Sequence, residues 1–132
     1  MHLSPISFFL AVTSCLAANT AVACSCASTS DFIADGELLA RTYHNATFVV
    51  HLRVNKVVSE EVAEVEVIED FKNGSLLKEI IRSTRPSSAC GRGPFKAGEE
   101  GIFFVQQSRT VGLCSNRGHD KDFVERLRRL RP

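Results

Sequence analysis

The chain has 132 residues, and its 16 Lys and Arg nearly cancel its 15 Asp and Glu, for a formal net charge of +1. Global charge therefore points neither to nucleic acid nor to an anionic membrane surface. At 44% hydrophobic and 23% charged, the composition is too apolar for a disordered tail and suits one folded domain.

Met1 to Ala23 carries no Lys, Arg, Asp or Glu and contains the apolar residues Ile6, Phe8, Phe9, Leu10, Ala11 and Val12. This stretch is shorter than the roughly 20 residues that span a bilayer, and it leads into Ala21-Val22-Ala23, a small-x-small pattern of the kind signal peptidase cleaves after. The expectation is a signal peptide over residues 1–23 and a secreted, extracellular chain over residues 24–132 that begins at Cys24, with no membrane span. Asp31 to Tyr43 then shows a helical pattern, with Phe32, Ile33, Leu38 and Leu39 beside Glu37 and Arg41, interrupted at Gly36. From Ala46 the period changes to two, placing Phe48, Val50, Leu52 and Val54 on one face of a strand and His51, Arg53 and Asn55 on the other.

Val62, Val65, Val67 and Phe71 mark a second strand ending at Asn73-Gly74, a pair suited to a tight hairpin. Leu76 to Thr84 reads as a third strand, and Gly91, Gly93, Pro94 and Gly98 break the chain into a loop. Gly101 to Gln107 and Thr110 to Cys114 read as the last two strands, and Phe123, Leu127 and Leu130 recur at helical spacing. Five short strands with a terminal helix suit a small closed barrel, a mainly β fold.

Loss of the signal peptide removes Cys15 and leaves Cys24, Cys26, Cys90 and Cys114, an even number that reads as two disulfides in an exported protein. A bridge from Cys24 to Cys26 would close a strained ring across Ser25 alone. The start of the mature chain is therefore tied to Cys90 and Cys114 in one of two pairings, each bridge closing a loop worth roughly 4 kcal/mol in the chain-entropy model. Chain termini normally fray. Two staples on the first and third mature residues mark that terminus as a working part.

Other clusters carry less. The acidic residues Glu60, Glu61, Glu64, Glu66, Glu69 and Asp70 lack the Asp-x-Asp-x-Asp-Gly calcium pattern and read as a solvated strand face. Arg126, Arg128, Arg129 and Arg131 share a helix with Asp122 and Glu125 and read as ordinary surface, with glycosaminoglycan binding as the second reading. His44, His51 and His119 are scattered without metal-ligand spacing, so no internal metal site is expected. No Ser or Cys stands in a nucleophile motif, so neither an enzyme nor a cofactor of its own is expected. Asn45-Ala46-Thr47 and Asn73-Gly74-Ser75 are glycosylation sequons that a eukaryotic host could use if both asparagines are exposed.

The opening Cys24-Ser25-Cys26, the segment Pro86-Ser87-Ser88-Ala89-Cys90-Gly91 and the later Gly112-Leu113-Cys114-Ser115 together form a specific pattern. It resembles the N-terminal inhibitory domain of the tissue inhibitors of metalloproteinases, within the netrin-like superfamily, over most of residues 24–132. Val67 to Gly74 is similar to that family's second strand and turn. The resemblance implies a five-stranded OB-type barrel with flanking helices, bridged Cys24 to Cys90 and Cys26 to Cys114. It implies an inhibitor of zinc metalloproteinases of the matrixin or adamalysin type, in which the α-amine and carbonyl of Cys24 chelate the zinc of the partner protease.

Ser25 would then enter the primed-side pocket, with Cys26, Ala27 and Ser28 continuing along the cleft and Ser88 and Ala89 filling its other side. The chain departs from the family pattern in three places. The family's third N-domain cysteine pair is absent, with His44 near its first position; Ala27-Ser28-Thr29 replaces a proline-containing stretch; and with Pro132 at the equivalent of the barrel's last helix, the expectation is an inhibitory domain without the family's C-terminal domain. Two rivals remain. A non-inhibitory netrin-like matrix-binding module would lack the free amine, and a bacterial lipoprotein would read Ala21-Val22-Ala23-Cys24 as a lipobox and block that amine with lipid.

Overall fold

The computed structural model describes residues 26–77, 80–83 and 92–132. The expected signal peptide, Cys15, Cys24, Ser25, Ser88, Ala89 and Cys90 lie outside these residues. The chain enters through two helices, α1 (Thr29–Ala34) and α2 (Gly36–Asn45), in place of the single interrupted helix expected there. The break is at Asp35, which ends α1 and caps α2 by accepting the Glu37 and Leu38 N–H groups, both at 3.1 Å. Gly36 is thus the first residue of a helix rather than a flaw within one.

Strands β1 (Phe48–Val57) and β2 (Val62–Lys72) follow, then β3 (Ile80–Ser83), β4 (Glu100–Val105), β5 (Thr110–Val111), β6 (Asn116–Arg117) and helix α3 (Lys121–Leu130). The six strands form one sheet in the order β5-β3-β2-β1-β4-β6, antiparallel except for the β3/β5 pair. β5, at one end of that order, also packs near β4, the strand next to the other end, so the sheet curls into a barrel-like form. The mainly β, barrel-like expectation is met.

Among the described residues the strand count is corrected from five to six. Thr110 to Cys114 is not one strand: Ser115 turns the chain after Val111, its N–H donating to the Gly112 carbonyl at 3.1 Å and its hydroxyl accepting the Gly112 N–H at 2.7 Å. The chain then crosses to the opposite edge as β6. A Cβ on Gly101 would lie 2.6 Å from the Arg117 carbonyl, so glycine in β4 is what admits β6 this closely. Asn73-Gly74 is likewise no hairpin turn. Asn73 takes a left-handed conformation (φ 53°) and opens a 3-10 turn, Gly74–Leu76, whose Gly74 N–H is held by the Asp70 carboxylate at 2.7 Å. Leu76, expected to open the third strand, belongs to that turn, and the strand is described over Ile80–Ser83.

The alternation read for β1 is present. Phe48, Val50, Leu52 and Val54 join Ala63, Val65, Leu77, Ile81, Phe95, Phe103, Val105 and Val111 in the core inside the curl. The other face is not simply solvent. Val49, Phe71, Ile102 and Phe104 are buried there beneath Phe32, Leu39, Tyr43, Phe123 and Leu127 from the three helices.

Between His51 and Leu52 the register of β2 jumps from Glu69 to Val67, leaving Ile68 as an extra residue. Such a bulge reverses which residues face which side. Ala63 and Val65 are in the inner core and Val67 packs against it, whereas Phe71 packs under the helices and Glu69 is paired with Arg128 of α3. The acidic run is therefore not one solvated face. Lys72 ties β2 to α2, donating to the Tyr43, His44 and Ala46 carbonyls at 3.0, 3.1 and 2.6 Å. A cation there meets the negative end of the helix dipole.

Candidate functional site

Two regions of the described chain bear on function. The first is the edge where the chain enters. Cys26 is bridged to Cys114, in the turn between β5 and β6, with 5.2 Å between Cα atoms. Of the two pairings left open by the sequence, this bridge belongs to the one with Cys24 to Cys90, whose residues lie outside the described ones. Ala27 is half-buried and packs against the helix-side core. Ser28 is exposed but its hydroxyl is committed: it accepts the Asp31 N–H at 3.1 Å, while its own N–H donates to the Asp31 carboxylate at 2.7 Å. This reciprocal capping box starts α1.

Those hydrogen bonds hold the Asp31 carboxyl below its ordinary value, the Ser28 backbone N–H contributing most and the hydroxyl next. Beside the bridge lies an open groove of about 580 Å³, lined among others by Thr42, Phe104, Leu113, Cys114 and Arg117. Burial lowers the Arg117 pKa, and its guanidinium sits 5.6 Å from the centre of the Phe32 ring. Ser25, Ser88 and Ala89, the expected cleft residues, lie outside the described residues, as does Cys24.

The second region lies where the helices stop covering the sheet. Along the helix-side face of β1, Val49 is fully buried, His51 is half-buried and Arg53 is exposed. In β4 the same progression runs from Phe104 and Ile102 to Glu100. His51 Nε2 lies 2.9 Å from Glu100 Oε1, and Arg53 Nη2 lies 3.6 Å from Glu100 Oε2. His119, in the short connection between β6 and α3, stacks on His51 with ring centres 4.8 Å apart and planes 24° from parallel. Donor atoms of His51, Glu100 and His119 all lie within 4.8 Å of one another.

Burial pushes the Glu100 carboxyl up, but the hydrogen bond from His51 and the charges of Arg53, His119 and His51 outweigh it and hold the group below its ordinary value. The expectation that the histidines are scattered is corrected here for His51 and His119, while His44 stays apart at the end of α2. No sequence spacing announces this cluster, because the sheet register and the β6-to-α3 connection create it.

The remaining expected sites are placed as follows. Arg128 spans Glu69 at 2.8 Å and Glu125 at 2.9 Å, and Arg131 lies 3.7 Å from Glu69 with its guanidinium over the Phe71 ring. Two of the four arginines of the basic cluster are thus tied to the sheet. Asn45 and Asn73 are both exposed, and Asn73 Nδ2 donates to the Thr47 carbonyl at 3.1 Å. Among the described residues no helix is long and apolar enough to cross a membrane. Compared with protein-family models, curated proteins and solved structures, the chain matches none.

Proposed function

We propose that this chain is a secreted inhibitor of zinc metalloproteinases of the tissue-inhibitor type, an OB-type barrel that acts through the amino terminus of its mature form. The observation that carries the proposal is the Cys26 to Cys114 bridge, which fixes the chain two residues after Cys24 to the edge of the sheet. A terminus free to fray would have to be ordered on binding, and pre-ordering it removes much of that cost. The chemistry is simple. A catalytic zinc held by three protein ligands keeps one position open for water, and an uncharged α-amine with its neighbouring carbonyl can take that position as a chelate.

In this reading Cys24 supplies both donors and its bridge to Cys90 brings Ser88 and Ala89 alongside. Ser25 enters the pocket on the primed side. Cys26 and Ala27 follow, and Ser28 contacts the cleft through its exposed surface rather than through a free hydroxyl. In this reading the inhibition needs neither catalysis nor a cofactor of the protein's own; its partners are matrixin or adamalysin proteases. Glycosaminoglycan binding through Arg126 and Arg129 is a separate and weaker proposal, since Arg128 and Arg131 already pair with Glu69.

The test is the amine. Its unperturbed pKa is about 7.7 to 8.0, so zinc binding displaces its proton near neutral pH. One alanine added before Cys24 turns the donor into an amide while leaving barrel and bridges intact. Inhibition of a panel of matrixins and adamalysins should fall by orders of magnitude with Tm unchanged. An extended form that inhibits as well as the mature chain, or a mature chain that inhibits none of the panel, would transfer the proposal to the non-inhibitory binding module.

A further inference from the structure

We propose that His51, Glu100 and His119 form a binding site for one divalent first-row metal ion, with Zn2+ as the best match, which clamps the β6-to-α3 connection to the sheet. The donor set carries the choice of metal. Two imidazoles and one carboxylate suit zinc and its neighbours, whereas calcium and magnesium call for all-oxygen shells. Three protein ligands leave a fourth position for water or an outside donor.

The placement supports a built site. His51 stands on β1 and Glu100 on the adjacent β4, two strands locked by their register, so two of the three donors are fixed by the sheet. Their donor atoms are already 2.9 Å apart. Tetrahedral zinc with ligands at 2.0–2.2 Å needs donor separations of about 3.4 Å, so His51 and Glu100 must part slightly and His119 must close in. His119 is exposed, next to Gly118 and one residue before the Asp120 cap of α3, where a ring rotation disturbs no strand. Arg53 faces the other oxygen of Glu100, Oε2, and leaves Oε1 to the metal. His51 and His119 line one pocket together with Glu69, Lys121 and Arg128, and Arg128 is neutralised there by its pairing with Glu69.

This site is independent of the inhibitory amine. A zinc ion here would be the protein's own, and the ion in the inhibitor proposal belongs to the protease. The experiment uses the mature, disulfide-bonded chain without a histidine tag, stripped with chelator and titrated with ZnCl2 by calorimetry and by NMR of the histidine rings. One equivalent should bind, the ring signals of His51 and His119 should move together, and Tm should rise.

His119→Ala should weaken Zn2+ binding by at least about tenfold, the smallest loss expected even for a supporting residue of a metal site, with the metal-free Tm unchanged. Glu100→Gln should do the same, while His44→Ala and the alanine-extended form should bind as the wild type does. Absence of saturable one-to-one binding, or binding that survives both His119→Ala and Glu100→Gln, would overturn the site. Loss of binding in the alanine-extended form would also overturn it, by assigning the metal to the amino terminus.

Discussion

On the inner face of β1, Phe48, Val50, Leu52 and Val54 are all buried, and Ala63, Val65, Ile81, Phe103, Val105 and Val111 of the other strands pack with them. On the outer face the same ten residues change character along their length. Val49 is sealed beneath the helices, His51 stands at their margin, and Arg53 forms a ladder with Glu66 at 3.9 Å and Glu100 at 3.6 Å in the open. The inner face is closed by the sheet curling on itself, which covers β1 from Phe48 to Val54. The outer face is closed by three short helices, which cover only one end. The residues capable of chemistry collect where that cover stops, because a half-buried polar group keeps a defined position without losing access to ligands.

Adjacent substitutions on β1 test this contrast most severely. Leu52→Ala removes a fully buried side chain from the inner core and should cost about 2–5 kcal/mol, most of the margin of a domain this size. His51→Ala, one residue away on the other face, loses one hydrogen bond at a partly open position and should cost about 1 kcal/mol. Urea unfolding of the two variants measures both. Equal losses would mean that the helices seal the outer face as fully as the curl seals the inner one.

The inner face was legible in the sequence because strict alternation from Phe48 to Val54 has only one structural meaning. The outer face was legible only in part. The helical spacing of Phe123, Leu127 and Leu130 marks α3, and Phe123 and Leu127 are its fully buried residues. Ser28-x-x-Asp31 and Asp35 are helix-start signals that would have separated α1 from α2. The bulge at Ile68 left no such mark. It is set by the pairing of β2 with β1, and it is what turns Glu69 and Phe71 toward the helices. The cluster of His51, Glu100 and His119 was hidden for a similar reason, since its members come from three separate elements. A strand as short as Asn116–Arg117 has no periodicity to read.

A middle-sized effect is expected where the outer cover is fastened to the sheet. Lys72 Nζ donates to three carbonyls at the end of α2, 26 to 29 residues earlier in the chain. Lys72→Met keeps the packing of the aliphatic stem and removes the donor, leaving two part-buried carbonyls without their bond. The loss should be about 1–2 kcal/mol. Hydrogen exchange should show it as faster opening of α2, with β1 and β4 unchanged. Uniform acceleration across the sheet would show that the two layers unfold as one unit and that the contrast between them is one of chemistry alone.

The smallest effect belongs to the first turn of the outer cover. The Ser28 backbone N–H, and after it the Ser28 hydroxyl, hold the Asp31 carboxyl below its ordinary value. A carboxyl whose pKa is lower folded than unfolded stabilises the protein above its unfolded value, about 3.9, and that contribution disappears as pH falls through the folded value. Asp31→Asn removes the charge that the cap and the helix N-terminus both favour. The variant should melt slightly below the wild type at pH 7, and the gap should narrow as pH falls from about 5 through the unfolded value and then through the lower folded one, as the wild-type carboxyl protonates. A gap that stays constant over that range would assign the loss to altered hydrogen-bond geometry. A gap that widens toward acid would reverse the sign required of a depressed carboxyl and remove the capping charge from the forces that hold α1 on the sheet.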